Sequence, residues 1–448
     1  MVQKLGNALG KLHRGFLIVG AFALFILAGA ILLMLPVSQT GRAEVSFIDA
    51  LFLSVSAVSV TGMGMFNLAL DFSIFGQMVI LVLMQVGGLG IMTVMALVGI
   101  STGRKIRLQE RLLIRDSFNL QTPSGTVYLV RRIVFMTLTV EYISGVLLSA
   151  YFCMDYGLKG IYMGFWQAVS CFTTAGFSLM QDDASFRALA ADPYASTVMI
   201  LTTLAGAVGF VTISDMAASR RWSRLSLTSK LVLFMEGILV PLALLGFYLL
   251  EKDNPATLGG MDTVSQLQSS FFMAVSSRSA GVPGFDLTVL HDSTRLFMMM
   301  LMFIGTAPVS TGGGIRTTTL AILFLSVYHW VKGHKEVVVF HKRIDPVNVR
   351  KASNVFMVWG VFSFLTIFCV FLFEPKPFAF ADVLFESISA FTTVGYSMGL
   401  TELLNVPCKL VLMAAMFVGR IGIMTLALSL ADRSARRISY PSENVLIG

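Results

Sequence analysis

Long uncharged runs alternate with short apolar ones along this chain, and the alternation repeats. Phe16 to Leu35 carries no charge and stops at Pro36; about 20 such residues cross a bilayer as a helix. Phe47 to Val60 is mostly apolar but too short to cross. After a polar patch at Asn67 and Asp71, Ile74 to Ile100 is long enough to cross back. The predicted unit is spanning helix, short helix, turn, spanning helix. The same order returns as Val127 to Cys153, Ile161 to Ala175 and Thr197 to Ile213. It returns again as Leu231 to Leu250, Val264 to Ala280 and Leu296 to Val327, and finally as Val355 to Phe373, Phe380 to Val394 and Leu410 to Leu430.

The expected fold is therefore an all-α polytopic membrane protein. Eight transmembrane helices and four re-entrant half-helices form four pseudo-symmetric helix–pore-helix–helix repeats around one pore. The repeats occupy 15–103, 127–217, 231–330 and 353–431. Between and around them lie segments 1–14, 104–126, 218–230, 331–352 and 432–448.

Each short helix ends in a glycine signature. The copies are Ser56-Ala57-Val58-Ser59-Val60-Thr61-Gly62-Met63, Ser170-Cys171-Phe172-Thr173-Thr174-Ala175-Gly176-Phe177, Val275-Ser276-Ser277-Arg278-Ser279-Ala280-Gly281-Val282 and Ser389-Ala390-Phe391-Thr392-Thr393-Val394-Gly395-Tyr396. The glycines lie 114, 105 and 114 residues apart (176−62, 281−176, 395−281), a long period that marks a duplicated structural unit. A second motif supports the first. Gly87-Gly88-Leu89-Gly90-Ile91-Met92-Thr93 matches Gly419-Arg420-Ile421-Gly422-Ile423-Met424-Thr425; Gly206 to Thr212 fits the same frame, and Gly314-Ile315-Arg316-Thr317 keeps its second half.

Composition agrees with lipid burial. Of 448 residues, 56% are hydrophobic and 13% charged, with a mean hydropathy of +0.79, against about 25% charged in a soluble chain. The net charge of +8 comes in short bursts between repeats: Arg104 to Arg115, Arg220 to Lys230, Lys332 to Lys351 and Arg433 to Arg437. Connections inside the repeats carry acids such as Asp155, Asp182, Asp192, Asp253, Asp286 and Asp382. The positive-inside rule then puts both termini and the inter-repeat loops in the cytoplasm. The same distribution argues against a nucleic-acid-binding patch. Cys153, Cys171, Cys369 and Cys408 stand singly, with neither disulfide nor zinc spacing. The first apolar run has no convincing cleavage site, so it is expected to stay as a helix.

Irregular backbone cannot face lipid, because each unsatisfied carbonyl there costs several kcal/mol. Four glycine turns at membrane depth therefore need a shared, water-lined interior. A ring of carbonyls replaces the hydration shell of K⁺, and glycine permits φ > 0 and close backbone approach. The short helices direct their partly negative C-termini at the same place. No carboxylate occurs at the turns, which favours a monovalent over a divalent ion. The candidate filter residues are Val60, Thr61, Gly62, Thr174, Ala175, Gly176, Ser279, Ala280, Gly281, Thr393, Val394 and Gly395, with K⁺ held by backbone carbonyls near the four glycines. Small residues in membrane helices also serve tight packing; four copies in register favour the pore.

Thr393-Val394-Gly395-Tyr396 reads like the K⁺-channel filter without its second glycine. With Val60-Thr61-Gly62, Arg278 to Gly281, Gly395 to Thr401 and the tail Tyr440 to Gly448, the chain resembles the Ktr/Trk/HKT superfamily of K⁺ transporters over nearly its whole length. The pore-forming membrane subunit of bacterial Ktr systems is the nearest type. The resemblance implies a multi-pass protein of the bacterial cell membrane with a single-file K⁺ pathway. It also implies homodimerisation, stimulation by Na⁺, and a separate cytoplasmic ring of the KtrA type that binds ATP and ADP. No organic cofactor is implied in this chain.

Gly305-Thr306-Ala307-Pro308-Val309-Ser310-Thr311-Gly312-Gly313-Gly314 interrupts the second helix of repeat 3, since glycines and proline break a helix. The resemblance assigns it to an intramembrane gating loop beneath the filter. Arg420 stands where repeat 1 has Gly88. A lone arginine inside a spanning helix faces a polar cavity by default, so Arg420 is expected in the pore below the filter, holding the loop closed through backbone carbonyls. Fourfold symmetry is expected to fail at the broken third repeat and at Arg420. Glu141, Glu236, Arg131 and Arg132 are read as inter-helix pairs or snorkelling ends, and Arg278 as a brace for its turn. Rival readings are a coupled secondary cation transporter (K⁺/Na⁺ or K⁺/H⁺ symport), a membrane-embedded enzyme and a structural scaffold. All four repeats start on the same side, against inverted repeats. The histidines lie at span ends or in loops, so an enzyme is not expected.

Overall fold

The computed structural model describes residues 14–422 apart from 91–92, 95, 98–99, 101–110, 113–124, 182 and 220. The segments expected at 1–13 and 432–448, most of 104–126, and the Ile423-Met424-Thr425 end of the second motif lie outside the described residues.

Repeat 1 folds as α1 (Arg14–Met34), α2 (Phe47–Ser59) and α3 (Ile74–Leu89). Repeat 2 is α4 (Thr126–Tyr156), α5 (Lys159–Thr173), α6 (Pro193–Ala207) and α7 (Phe210–Ala218). Repeat 3 is α8 (Leu227–Glu251), α9 (Thr263–Ser276), α10 (Asp292–Phe303) and α11 (Thr317–Val331). Repeat 4 is α12 (Pro346–Phe373), α13 (Phe380–Thr392) and α14 (Val406–Ile421).

Polar caps set several starts. The Ser46 hydroxyl accepts from the Asp49 amide before α2, and the Asp262 carboxylate accepts from Val264 and Ser265 before α9, each satisfying free N–H groups of a first turn. Three first helices, α4, α8 and α12, are long and apolar enough to cross a membrane by themselves. They leave large apolar side chains exposed, among them Phe135, Leu138, Leu242, Leu245, Phe364 and Phe368, as a lipid-solvated helix does.

The second helices of repeats 1 and 2 depart from the uninterrupted spans expected from hydropathy. α3 stops at Gly90, α6 gives way to α7 at Gly209 and α14 stops at Gly422, with φ of +80°, +88° and +83°; in repeat 3, broken as its glycines and proline predict, α10 ends at Phe303 and Gly314, with φ of +77°, lies just ahead of α11. A left-handed residue ends a helix. A left-handed glycine thus marks this frame in all four repeats, and repeat 3 adds a long loop ahead of it. The short helix Ser185–Ala191 also meets α6 at 85°, so the entry to that segment is bent as well.

A small departure from all-α occurs in the loop at 331–352. Val338–Val339 (β1) pairs antiparallel with Lys342–Arg343 (β2). The two-residue connection Phe340-His341 has φ of +48° and +60°, both positive as a type I′ hairpin turn requires.

The repeats close on themselves. Phe52, Ile80, Leu412 and Met416 share one buried apolar cluster, which packs α14 of the last repeat against α2 and α3 of the first. Lys409 on α14 also donates to Asp49 on α2 at 2.9 Å.

Candidate functional site

The four short helices end at the four glycine turns. In three of them the residue two before the glycine is left-handed: Val60, Thr174 and Thr393 have φ of +58°, +59° and +54°. For β-branched residues this is a strained conformation, costing roughly 1–3 kcal/mol each, and such strain persists only where the surroundings fix it. The turn is tied back to its helix each time, from Thr61 N to Ser56 O, Ala175 N to Ser170 O and Val394 N to Ser389 O, at 2.9–3.0 Å.

The third turn is one residue tighter. Ser277 is still helical, none of residues 277–280 is left-handed, and the positive φ of +61° falls on Gly281 itself. Here Gly281 N bonds Ser276 O at 3.2 Å. The reason is a spacing: serine precedes the glycine by six residues in repeats 1, 2 and 4 but by five in repeat 3 (62−56, 176−170, 395−389, 281−276). Ser276, not Val275, is therefore the partner of Ser56 in the repeat. The Ser170 and Ser276 hydroxyls donate to Phe177 O and Val282 O at 2.6 Å, and Ser389 accepts from Gly395 N at 3.1 Å.

The turns meet in a closed ring. A methyl group on Gly62 would strike the carbonyl oxygen of Ala175, on Gly176 that of Ala280, on Gly281 that of Val394, and on Gly395 that of Thr61. Each glycine thus lies against the carbonyl preceding the next glycine, in chain order, until the fourth returns to the first. Val60, Thr61, Thr174, Ala175, Ser279, Ala280, Thr393 and Val394 are all buried. The side chains of Ala175, Ala280 and Val394 pack into three separate apolar clusters. The twelve candidate filter residues are thereby brought to one place, where four helix C-termini converge.

The first glycine of the second motif has a separate role. Methyl groups on Gly87, Gly206 and Gly419 would strike the carbonyls of Val58, Phe172 and Phe391. In repeats 1, 2 and 4, then, the second helix packs backbone-to-backbone on the end of its own short helix.

The segment Gly305 to Gly314 lies against three turns. Thr311 receives the Thr174 hydroxyl at 3.4 Å; a methyl on Gly312 would strike Ser279 Oγ and one on Gly313 would strike Thr393 Oγ1. The loop is pinched at its base by Gly305 N to Ile315 O at 3.0 Å and Thr306 N to Gly313 O at 3.3 Å. It also bonds the helix break of repeat 2, through Ala307 N to Ala207 O, Thr311 N to Gly206 O and Phe210 N to Val309 O. Val309 itself is left-handed, with φ of +56°.

Arg420 and Arg316 bond to several groups of this loop. Arg420 donates to Thr311 O in the loop, and to Gly87 O and Gly88 O of repeat 1. Arg316 donates to Thr306 Oγ1, Ala307 O, Ser310 Oγ and Gly312 O at 2.6–3.3 Å. The sequence assigns Arg316 no role, although it sits in the second motif; its partners are two hydroxyls and two carbonyls of an irregular loop, which no spacing announces.

The remaining charged groups pair between helices. Arg278 forks onto Glu236 at 2.5 and 3.0 Å and reaches Gly305 O at 2.9 Å. Glu141 takes the side-chain amide of Gln85 at 3.1 Å, and Arg132 donates to Ser214 O at 2.8 Å. Glu386, not singled out by the sequence, accepts from Ser397 Oγ, Thr401 Oγ1 and Met398 N behind the fourth turn.

A profile of the TrkH family, described as cation transport protein, matches residues 11–442. The chain belongs to the TrkH cation transport family. It is 37% identical to the Ktr system potassium uptake protein B of Bacillus subtilis, with 95% of each chain aligned. It is 34% identical to the protein of the same name from Vibrio alginolyticus, over 96% of this chain and 94% of that one. It is equally 34% identical to the potassium/sodium uptake protein NtpJ of Enterococcus hirae, over 96% of each. The fold matches the crystal structure of the potassium transporter TrkH from Vibrio parahaemolyticus with a TM-score of 0.74, covering 94% of this chain and 86% of that one at 15% identity. A TrkH-family chain is a membrane transporter polypeptide, consistent with the apolar exteriors of α4, α8 and α12.

Proposed function

We propose that this chain is the K⁺-conducting, membrane-embedded subunit of a Ktr-type uptake system in a bacterial cell membrane. In this reading the termini and inter-repeat loops are cytoplasmic, and eight interrupted or continuous spans carry four re-entrant half-helices. The single observation that carries it is the closed ring in which each filter glycine abuts the carbonyl before the next. Four turns fitted this tightly hold their carbonyls at fixed spacing, so they replace the water around a weakly hydrated monovalent cation. The converging helix C-termini add partial negative charge.

Beneath the ring, the Gly305–Gly314 loop with Arg420 is the gate. Arg316 and Arg420 bring positive charge to the exit, which opposes a cation, while the loop fills the space against Thr174, Ser279 and Thr393. Conduction requires the loop to withdraw, breaking the Arg420 bonds to Thr311. The two Ktr-system relatives support assembly with further components. A homodimer, an ATP- and ADP-responsive cytoplasmic ring and stimulation by Na⁺ belong to this proposal. The Enterococcus hirae relative, named for both potassium and sodium, favours coupled K⁺/Na⁺ uptake as the second reading.

The test is K⁺ and Na⁺ uptake in cells lacking K⁺ uptake, wild type against Gly281→Ser, at matched amounts of membrane-inserted protein. A side chain at Gly281 forces the Val394 carbonyl outward, so K⁺ preference weakens. Normal uptake with unchanged discrimination would sink the filter reading. A fixed ratio of Na⁺ to K⁺ entering together would favour the coupled one.

A further inference from the structure

Resting on that filter and gate, we propose that Arg278 is a specificity-determining positioning residue. It ties the third filter turn to the pinched base of the loop, so loop position sets how well the ring discriminates between K⁺ and Na⁺.

The joint between turn and second helix distinguishes repeat 3 from the others. In repeats 1, 2 and 4 it is a glycine seated on a carbonyl: Gly87 on Val58, Gly206 on Phe172, Gly419 on Phe391. Those three residues each lie two positions after the repeat serine (58−56, 172−170, 391−389). In repeat 3 the residue two positions after Ser276 is Arg278. Its guanidinium makes the joint by donating to Gly305 O at 2.9 Å. A rigid backbone contact is thus replaced by a side-chain link to the loop.

Glu236 on α8 fixes where that link points. It accepts both outer nitrogens of Arg278, and the two side chains are only 4% and 9% exposed. A buried ion pair is commonly no more stabilising than an apolar pair of the same size, so stability alone gives little reason for it. Its geometry gives a better one: a planar fork holds direction as well as distance. At the far end, Gly305 is fixed to the opposite side of the loop by its bond to Ile315, and a methyl there would strike Gly313 O. Ser279, the next residue, touches Gly312 of the same loop. Movement of the loop base therefore reaches the backbone three residues before Gly281, in the one turn that lacks a left-handed residue ahead of its glycine.

The experiment compares Arg278→Lys, Glu236→Gln and wild type in the full chain, in cells lacking K⁺ uptake, normalised to inserted protein. The readout is the ratio of KM for Na⁺ to KM for K⁺, kept separate from the maximum rate. Lysine cannot reproduce the fork, so the ratio should fall by about tenfold; the near-isosteric Glu236→Gln should lower it by roughly threefold. A purely structural role would reduce inserted protein or maximum rate and leave the ratio within twofold of wild type, which would overturn the proposal. If Arg278→Lys fails to insert, Glu236→Gln decides. In an Arg420→Ala background, where the loop is released, Arg278→Lys should change the ratio less than in wild type; full additivity would also overturn the coupling. A ratio that responds to Gly281→Ser but not to these variants removes only this inference, whereas one that responds to none removes the filter reading itself.

Discussion

Arg420 and Gly87 are 333 residues apart in the chain, yet the guanidinium of the first donates to the carbonyl of the second. The bond exists because α3 stops early. The left-handed cap residue Gly90 bonds Gly87 O at 3.2 Å, and a carbonyl at such a helix end has a second lone pair for another donor. A cation at that partly negative end is favourable. The same guanidinium reaches Thr311 O, so one residue of repeat 4 connects repeat 1 to the Gly305–Gly314 loop.

Arg420→Ala should therefore raise K⁺ flux through the resting protein. A hydrogen bond to a charged group contributes about 1.5–3 kcal/mol, so losing the Thr311 contact shifts the loop by about tenfold or more. Arg420→Lys should fall between the two, since an ammonium keeps charge but not the fork. Uptake measured before any stimulus is the check, and equal resting flux in all three proteins would contradict the gate.

The break glycines separate strain from clash. Gly90 and Gly209 share the left-handed backbone, but a methyl on Gly90 meets nothing within 4 Å, whereas one on Gly209 lies 2.6 Å from Pro308 O. Gly90→Ala should cost only the conformational penalty, about 1–2 kcal/mol. Gly209→Ala should cost at least about 1 kcal/mol more, because the loop carbonyl must move. Thermal unfolding in detergent orders the two; equal losses would mean that the loop yields freely.

The four glycine turns and the Gly305–Gly314 interruption were legible because they are backbone requirements. Only glycine accepts a carbonyl at its Cα, and three glycines with a proline stop a helix anywhere. The breaks at Gly90, Gly209 and Gly422 were not legible as breaks. A single glycine in an apolar run is ordinary in a membrane helix, and only its φ distinguishes a packing glycine from a terminating one. The register of Ser276 could have been read from the five-residue spacing, but the eye follows the glycine. The partner of Glu236 could not be read, since Arg278 lies on another helix that only the closed fold brings near; Arg316 and Glu386 bond into adjoining irregular backbone, which has no period to mark it.

In the connection that follows the third turn, Asp286 offers a test against pH. The Thr288 hydroxyl holds its carboxyl below the ordinary carboxylate range; the Thr288 amide and Arg187 at 3.0 Å help, and partial burial opposes them. A depressed pKa stabilises the fold above the unfolded value of about 3.9 and loses that contribution as pH falls through the folded value. Asp286→Asn should lower the stability slightly at pH 7, by less than about 1 kcal/mol because the pair is partly exposed, which a small fall in melting temperature would report. The two proteins should converge as pH falls through the folded value. A gap that widens on acidification would reverse the assigned sign.

Glu386 gives the sharpest stability prediction. Its carboxylate is 1% exposed and accepts from the Ser397 hydroxyl at 2.8 Å, the Met398 amide at 3.1 Å and the Thr401 hydroxyl. Those donors belong to the strand of chain leaving Gly395, and between them and the glycine stands Tyr396, whose hydroxyl donates to Val282 O of the third turn at 3.1 Å. Glu386 thus anchors the segment that joins two turns of the ring from behind. Glu386→Ala strands one buried and two part-buried donors and should destabilise the protein by about 2–3 kcal/mol. Glu386→Gln keeps one oxygen but turns a donor toward either the hydroxyls or the Met398 amide, so it should lose roughly half as much. Because the fourth turn loses its backing, K⁺ over Na⁺ preference should fall in the glutamine variant while protein still inserts. Melting temperature and the KM ratio, measured on one preparation, check both halves. A stable Glu386→Ala protein with wild-type discrimination would show that the turn is held from its own helix alone.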